Sequence, residues 1–372
     1  MRVLLATDTL PTPPRGGLDL HVSELIDALP ALGVTIQVVP LTSFHLAQAL
    51  RESTPDIVHF HSLQGLSPKL PQVAKRHGAS VVWTLHDFLA LCPRTHLHDA
   101  LRRPCAGPRG GLACGPCFGG IRRLIGPPAY TRRYRAMRAS LAACDRLIAP
   151  SQFVRDVFVS EGVDSESLSV IAPAVRAPAS AARAPNPGAR PRFVYAGDLR
   201  RSKGIGLLVR SMNELQRECE LVVHGGAPAH PAPRERDLEE ELRAGSKGRA
   251  IRYQGRYAPE ALPSLLDGAL ALVVPSLVRE SFGRTANEAL LCGVPVIVPD
   301  EGGLAEQVEP GVNGLLFEAG NARSLAQAMK RMVREGEAMS SRDWKTGDAS
   351  WPEAPHLDGE IQRLVDLYGA CL

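Results

Sequence analysis

The 372-residue chain lacks any long hydrophobic run. No window approaches the roughly 18 consecutive apolar residues that a membrane-spanning helix needs. The chain begins MRVLLATD, and its apolar run stops at Thr7 and Asp8, which predicts a β-strand and not a secretory leader. These two absences argue against an integral membrane protein and favour a cytoplasmic location.

Lysine is also scarce, because only six lysines occur among 43 basic residues. The formal net charge is +4, yet ten arginines accompany a single acid, Asp99, between Arg94 and Arg138. Such a basic segment attracts anions such as phosphates, acidic glycans or anionic lipids, although simple solvated charge is the alternative. Aromatic residues interleaved for base stacking are missing there, which argues against specific nucleic-acid binding.

Short apolar segments alternate with amphipathic helices along the chain, which predicts an α/β fold with parallel, doubly wound sheets. The predicted strands of the first half are Arg2–Thr7, Thr35–Val39, Ile57–His59, Val81–Thr84 and Arg146–Ala149. Those of the second half are Phe193–Ala196, Glu220–His224, Ile251–Tyr253, Ala269–Pro275, Val294–Pro299 and Gly314–Phe317.

The same pattern divides the chain into two Rossmann-like units. Residues 1–172 form the predicted N-terminal, acceptor-side domain, which carries a cysteine- and arginine-rich insert at 92–138. A proline-rich linker at 173–190 leads to a second domain at 191–345, and a tail at 346–372 ends in a helix expected to pack back on the first domain. Ligands of open α/β sheets bind at the carboxyl ends of the strands, so we expect the units to face each other across a central cleft.

The loop after the first strand contains Gly16 and Gly17, directly before a helix. Backbone N–H groups at a helix N-terminus form an anion site when no side chain blocks the approach. An ordinary turn is the alternative interpretation. The spacing is not G-x-G-x-x-G, so the dinucleotide fingerprint is absent.

The loop after strand Phe193–Ala196 carries the basic pair Arg200 and Arg201, followed by Lys203 and Gly204. A lysine beside a glycine at a strand-to-helix turn suits a diphosphate. A solvated basic turn is the alternative.

A third loop leads into the stretch ESFGRTANEALLCGVPVIVPDEGG, which spans residues 280–303. Glu280 lies in the predicted loop, and Glu288 lies about one turn inside a helix predicted at Arg284–Cys292. A ligand seated at this helix N-terminus would meet a carboxylate on either side, one suited to a ribose diol and the other to a sugar. Exposed glutamates are common on helices, so the pair carries weight only together with the S-F-G, G-V-P-V and G-G motifs.

This stretch resembles the E-x7-E signature of retaining glycosyltransferases of family 4, which have the two-domain GT-B fold. The other motifs of the family follow in order: the Gly16-Gly17 loop, TLHDF around His86, PSQF at 150–153, the turn from Gly197 to Gly204, and PS at 275–276. The resemblance covers essentially the whole chain. It is specific for the fold and the reaction, and not for the substrates.

The resemblance implies a role for each matching residue. Glu288 would bind the ribose of the donor, Glu280 would contact hydroxyls of the transferred sugar, and His86 would lie at the reacting centre. Without the resemblance, His86 would be taken for a half-buried histidine beside Asp87. The other donor contacts implied are Gly16, Gly17, Arg200, Arg201, Lys203, Ser281, Phe282, Gly283 and Thr285.

One position departs from the family pattern. Asp198 stands where the family usually has an arginine that contacts the diphosphate. Either Arg200 or Arg201 replaces it from a shifted position, or the diphosphate site is weakened.

The resemblance implies a retaining transferase that uses a nucleotide-diphosphate sugar, with UDP favoured from its prevalence in the family. The acceptor would be a hydroxyl of a cell-surface glycan, a glycolipid intermediate or a small secondary metabolite. The chain has no D-x-D motif, so a metal-clamped diphosphate is disfavoured, no cofactor is required, and same-face attack is expected. A sugar-nucleotide epimerase of the same fold and a non-catalytic sugar-nucleotide-binding protein are the alternatives.

Eight cysteines in a chain without a secretory leader are expected to be reduced. Four of them, Cys92, Cys105, Cys114 and Cys117, lie within 26 residues. Four thiolates match a closed structural zinc site, which is favoured over an iron–sulfur cluster, and free thiols or disulfides are the alternatives. Because this insert is also basic, an acidic or lipid-linked acceptor, or peripheral contact with an anionic membrane, is the functional interpretation, whereas simple solvated charge is the favoured single interpretation of its arginines.

Overall fold

The computed structural model describes residues 1–7, 16–40, 43–99, 103–105, 107–118, 122–173, 175–176, 188–215, 219–227, 238–240, 242–243, 250–340 and 356–372. The chain divides into two compact units. Unit 1 comprises Met1–Arg176 together with Pro355–Leu372, and unit 2 comprises Ala177–Ala354. The first unit therefore extends four residues beyond the boundary predicted at 172, and it takes in the C-terminal helix.

Each unit contains one sheet of six strands, and every neighbouring pair is parallel. In unit 1 the strands are β1 Arg2–Thr7, β2 Thr35–Pro40, β3 Ile57–Phe60, β4 Ser80–Thr84, β5 Arg146–Ala149 and β6 Leu168–Val170. In unit 2 they are β7 Arg192–Ala196, β8 Glu220–His224, β9 Ile251–Gly255, β10 Ala271–Val273, β11 Val296–Pro299 and β12 Gly314–Phe317. Parallel sheets are covered on both faces, which explains why the central strands such as β1, β3, β10 and β11 are largely apolar and buried.

Helices cover both faces of each sheet. In chain order they are α1 Gly17–Ala28, α2 Ser43–Ser53, α3 Leu70–Arg76, α4 Arg122–Leu141, α5 Gln152–Ser160, α6 Ile205–Met212, α7 Leu262–Leu265, α8 Arg284–Leu291, α9 Ala322–Ser340 and α10 Leu357–Gly369. The predicted α/β class with two doubly wound units is confirmed. None of the helices in the described ranges is long and apolar enough to cross a membrane.

Side-chain alternation along the strands builds two cores in unit 1. Leu4 and Ala6 of β1 point into a core that includes residues of α2, α4 and α5. Val3 and Leu5 point to the opposite face, where α1 and the C-terminal helix α10 pack. In α10, buried Leu364 and Tyr368 lie one turn apart, as expected for an amphipathic helix seated on a sheet.

Unit 2 is built in the same way. Helices α6 and α9 cover one face of its sheet. Helices α7 and α8 cover the other. The hydrophobic residues of α8 face the sheet, so its N-terminus lies beside the loop that leaves β10.

The strand predictions agree with the structure apart from their ends and one omission. Strand β6 has only three residues at the edge of the sheet, too few to give a readable pattern. Strand β10 is shorter than predicted, yet Leu270 N–H still donates to Arg192 O at 2.7 Å before it. Most of the predicted linker at 173–190 and the tail segment at 346–355 lie outside the described residues.

The strand orders place one reversal in each sheet. In unit 1 the order β2-β1-β3-β4-β5-β6 reverses between β1 and β3. In unit 2 the order β12-β11-β10-β7-β8-β9 reverses between β10 and β7. Loops leave such a reversal in opposite directions and open a crevice at the carboxyl ends of the two strands. The loops that follow β7 and β10 are those that carry Lys203 and Glu280.

Candidate active site

The loops after β7 and β10 meet through an ion pair in unit 2. Lys203 Nζ donates to Glu280 Oε1 at 2.7 Å. Ser276 Oγ, which is buried, donates to the same oxygen at 2.9 Å. The structure therefore brings together two residues that are 77 positions apart and that the sequence assigned to diphosphate and sugar.

Backbone contacts hold these two loops at a fixed separation. Gly204 follows Lys203 with φ 75°, in the left-handed region. A Cβ atom on it would lie 1.6 Å from the carbonyl oxygen of Pro275, a distance that no side chain tolerates. Leu277 N–H also donates to Ser202 O at 2.8 Å. Only glycine at position 204 allows Lys203 to stand beside Glu280.

The glycine pair that follows β11, Gly302 and Gly303, packs against the Glu280 loop. Gly303 N–H donates to the carbonyl of Glu280 at 2.8 Å. A Cβ atom on Gly303 would lie 2.3 Å from Ser281 O. Gly302 has φ 75°, and a Cβ atom there would lie 3.0 Å from Glu280 O. The Gly-Gly motif therefore allows the backbone of residues 302–303 to pack closely against that of Glu280 and Ser281, which fixes the position of the Glu280 loop.

Helix α8 begins directly beyond this loop, with Gly283 as its N-cap at φ 94°. Phe282, the residue before the cap, is buried. Gln307 Nε2 donates to the carbonyl of Phe282. Because the peptide is planar, the N–H of Gly283 points away from Gln307. A helix also leaves its first N–H groups, here those of Arg284 and Thr285, without an intrahelical acceptor, and these favour an anion.

Glu288 lies one turn along α8, as predicted. Its carboxylate is 3.8 Å from a guanidinium nitrogen of Arg284. Burial, and then the charges of Glu288 and Asp198, raise the pKa of the Tyr257 phenol. The phenol therefore stays neutral.

Asp198 has a specific partner. Its carboxylate accepts from Arg200 Nε at 3.2 Å, and both side chains are about half exposed. Tyr195 OH donates to the backbone carbonyl of Asp198 at 2.7 Å and fixes that turn. One of the two arginines expected to replace the missing cation is therefore paired with the residue that occupies the family's arginine position.

The predicted residues of unit 1 lie on α1 and after β4. Gly16 is the N-cap of α1, and Gly17 is its first residue. His86 follows β4, and its Nε2 lies 3.1 Å from Nδ1 of His61. His61 follows β3, so both histidines stand at the carboxyl ends of neighbouring strands. The sequence-based assignment of His86 did not include this second histidine, which the sequence shows only within HFH at 59–61.

Two buried histidines beneath His86 are held neutral. Burial, followed by the charge of neighbouring histidines, lowers the pKa of His59 and of His61 well below the usual value. His59 Nδ1 pairs with Tyr368 OH at 2.6 Å, and its Nε2 pairs with Thr84 Oγ1 at 2.7 Å. The C-terminal helix thus reaches the polar residues behind His86.

The four clustered cysteines line one cavity of about 20 Å³ in unit 1. None of them forms a disulfide, so the disulfide alternative is not the state of this structure. Burial and then the neighbouring Cys92, Cys117 and Cys105 raise the pKa of Cys114 to about 11. Within the described ranges, no three of these sulfur atoms lie within 4.8 Å of one another, whereas one group of three histidines does.

The Gly204 contact gives a stability test. We expect Gly204→Ala to lower the free energy of unfolding of unit 2 by roughly 2–4 kcal/mol, because the new Cβ strikes Pro275 O and alanine resists the left-handed conformation. Urea denaturation measures this change.

Gly206→Ala in α6 is the matched control. Its backbone has no positive φ, and a Cβ atom there meets only Arg210 at 3.8 Å. We expect Gly206→Ala to leave the free energy of unfolding unchanged or to raise it by up to about 1 kcal/mol, because alanine favours the helix. Equal stability of the two variants would contradict the close contact between the loops.

Family models match both halves of the chain. The model described as glycosyl transferases group 1 matches residues 178–346. The model described as glycosyltransferase family 4 matches residues 38–177. The matches meet within the predicted linker, and between them they include every strand from β3 to β12.

Individual proteins agree with the models. A D-inositol 3-phosphate glycosyltransferase of Corynebacterium jeikeium is 33% identical over 151 residues, which are 38% of this chain and 35% of that protein. The match therefore spans about a third of that relative's length. An alpha-maltose-1-phosphate synthase of Mycobacterium tuberculosis is 24% identical over 367 residues, 90% of each chain.

Solved structures show the same fold over the whole chain. The structure of Anabaena HepE in complex with UDP covers 100% of both chains, with a TM-score of 0.70 and 18% identity. A sucrose-phosphate synthase from Thermosynechococcus elongatus covers 99% of this chain and 98% of its own, with a TM-score of 0.70 and 19% identity. The strand orders, the loop contacts and these similarities together establish that the chain belongs to the glycosyltransferases of the family 4 type with the GT-B fold.

Proposed function

We propose that this glycosyltransferase moves a hexose from a nucleotide-diphosphate sugar to a hydroxyl acceptor with retention of configuration. The Lys203–Glu280 pair at the strand-order reversal of unit 2 carries the proposal. A cation for the diphosphate and a carboxylate for sugar hydroxyls lie side by side there. Both are beside the N-terminus of α8, whose dipole favours negative charge.

UDP is the donor nucleotide that we favour. The fold neighbour HepE has been solved with UDP and with UDP-glucose. In our proposal Glu288 accepts hydrogen bonds from the ribose, while Lys203, Thr285 and the Gly283 N–H neutralise the diphosphate. Gly16 and Gly17 at the α1 N-terminus add backbone N–H groups, and Ser281 and Phe282 add theirs near the sugar.

Catalysis would come from stabilising the charge that develops on the leaving diphosphate. Lys203 and the α8 N-terminus are positioned before the reaction begins, which is the main source of electrostatic catalysis. No metal ion is required in this scheme. We assign His86 to the reacting sugar, with attack of the acceptor on the same face and proton transfer to the departing phosphate.

The Asp198–Arg200 pair favours a second candidate function. It places a negative charge where a diphosphate cation is usual and engages the nearest arginine. A weakened diphosphate site would make the chain a sugar-nucleotide-binding protein without turnover. Donor binding and turnover therefore have to be measured separately.

Binding and turnover are separable in the variants. In a thermal-shift screen with EDTA against UDP, GDP, ADP, dTDP and CDP and their sugars, we expect one base to raise the melting temperature. Glu288→Ala should abolish the shift, because it removes the ribose contact. His86→Ala should keep the shift and slow transfer by at least about 100-fold, in line with loss of a group that acts on the reacting sugar.

Glu301→Ala is the control for Glu288→Ala, because Glu301 pairs with Arg279 next to the site and has no proposed donor role. A wild-type shift without transfer to any acceptor would favour the binding protein. If no nucleotide raises the melting temperature, the proposed donor site is wrong.

For the cysteine cluster we propose one structural zinc ion. All four thiols line the same small cavity in a segment that has little regular structure. Three of the residues with positive φ that are not glycine, Thr95, Leu97 and Arg109, lie in this segment. Such backbone persists only where the surroundings impose it. A tetrahedral ion drawing the four sulfur atoms together would supply that restraint.

Metal analysis tests this site. We expect protein purified without chelator to lose one equivalent of zinc on the double change Cys114→Ser and Cys117→Ser, and to lose none on Cys144→Ser, outside the cluster. Less than about 0.2 equivalents in the wild type would contradict the site, because structural zinc is retained through purification.

The basic insert suggests an anionic acceptor. Several of its arginines serve the fold: Arg138 donates to backbone carbonyls after α5, and Arg133 donates to Leu89 O. Arg132 and Arg135 are instead exposed and line an open groove of about 460 Å³ that also holds Leu112, which is 66% exposed. We propose that an acidic or lipid-linked acceptor binds this groove, with peripheral contact to anionic lipid.

Vesicle flotation tests the groove. We expect binding to phosphatidylglycerol vesicles, little binding to phosphatidylcholine vesicles, and loss on the double change Arg132→Ala and Arg135→Ala. High salt should weaken the binding, because the attraction is screened. Arg155→Ala on α5 is the control, and equal binding of the double variant would overturn the assignment.

A further inference from the structure

Unit 1 gathers four histidines behind the carboxyl ends of β3 and β4. His21 comes from α1, His59 and His61 come from β3 and its end, and His86 follows β4. The first three are at most 2% exposed. His86 is only partly buried. Buried imidazoles this close to one another need partners for every ring nitrogen.

His59 is satisfied and stands apart from the others. Both of its ring nitrogens are engaged, by Tyr368 and by Thr84. His61 is different, because its Nε2 is buried without a hydrogen-bond partner. Its Nδ1 faces His86 Nε2 at 3.1 Å. One imidazole nitrogen of a fully buried residue is therefore left over in a polar environment.

The three remaining histidines converge. One ring nitrogen from each of His21, His61 and His86 lies within 4.8 Å of the other two. Among the described residues this is the single group of three potential ligands that meets this distance. Zinc–nitrogen bonds of about 2.0–2.1 Å put three tetrahedral ligand atoms about 3.3 Å apart, so a shift of at most about 1.5 Å closes the triangle.

Glu360 of α10 completes the arrangement. Its carboxylate is 2% exposed and lies 2.6 Å from His21 Nε2. A carboxylate on one ring nitrogen fixes the orientation of the imidazole and makes the other nitrogen, here Nδ1, a better ligand. Histidines that bind metals usually have such a partner.

We propose that His21, His61 and His86 bind a divalent transition-metal ion, best matched by Zn²⁺, with Glu360 as the outer carboxylate. The partly exposed His86 leaves the fourth position open to water. Each ring then carries its remaining proton on the nitrogen that does not bind the ion, so the ligating nitrogen binds through its lone pair. The ion would inhibit transfer by occupying His86, a consequence that rests on the proposed function of that residue.

Cobalt titration of the metal-free wild-type protein tests the site without any activity measurement. We expect one Co²⁺ equivalent whose visible absorption lacks thiolate charge transfer, in addition to any thiolate-bound equivalent at the cysteines. The equivalent without thiolate charge transfer should survive the double change Cys114→Ser and Cys117→Ser. It should be lost in His61→Gln.

Because His61 is buried and its variant could unfold, Glu360→Gln provides the second change. It keeps the side-chain volume, and we expect it to weaken Co²⁺ affinity by about 10–100-fold, the usual effect of losing a carboxylate behind a ligating histidine. His77→Ala, at the exposed end of α3, should bind like the wild type. No histidine-type spectrum, or one unaffected by both His61→Gln and Glu360→Gln, overturns the site.

Zinc inhibition is measured separately. We expect micromolar Zn²⁺ to slow wild-type transfer and excess chelator to restore it, with inhibition weakened by Glu360→Gln in proportion to its Co²⁺ affinity. Unchanged rates with the metal bound would overturn the inhibitory role. Failure to find any transfer would count against the proposed function alone, because the cobalt spectrum reports the site independently.

Discussion

The arrangement of the loops after β7 and β10 depends on one close contact, in which the carbonyl oxygen of Pro275 lies where a Cβ atom of residue 204 would be. The strand order brings the loops after β7 and β10 to the same edge of the sheet, but it does not set their distance. The contact at Gly204 sets this distance. Because Gly204 has no side chain, its backbone lies against that of Pro275, and Lys203 reaches Glu280. Gly303, which follows β11, also packs closely, because a Cβ atom there would strike the carbonyl oxygen of Ser281. Side chains that carry charge are thus positioned by residues that have none.

Unit 1 has a different constraint, because His86, the proposed active-site histidine, lies against other buried histidines. Burying polar rings is costly unless their nitrogens are paired. The pairing groups come from the last helix of the chain, where Glu360 meets His21 and Tyr368 meets His59. The C-terminal helix therefore does more than cover apolar residues of the sheet. It fixes one ring nitrogen of His21 and one of His59.

Much of this fold could be predicted from the sequence because its signals are local. Alternating apolar segments gave the strands to within a few residues, apart from the three-residue β6. Glu280, Lys203 and the glycine motifs could be named because each lies in a loop directly after a strand. The pairs His21–Glu360 and His59–Tyr368 could not, because 339 and 309 residues separate their members and neither has a motif. Tyr257 was missed for the same reason.

The charged residues proposed to bind the donor are held in ion pairs, and this affects how a donor would bind. Lys203 is 37% exposed and Glu280 is 16% exposed, so solvent screens their attraction. Because Lys203 itself is partly exposed, it can turn from Glu280 to a diphosphate while Ser276 Oγ still donates to the carboxylate. Asp198 and Arg200 are both about half exposed, so their ion pair contributes only about 0–1 kcal/mol. The ion pairs keep Lys203 and Arg200 near the proposed donor site. A diphosphate would compete well for these cations, because it carries more negative charge than the carboxylate that it replaces.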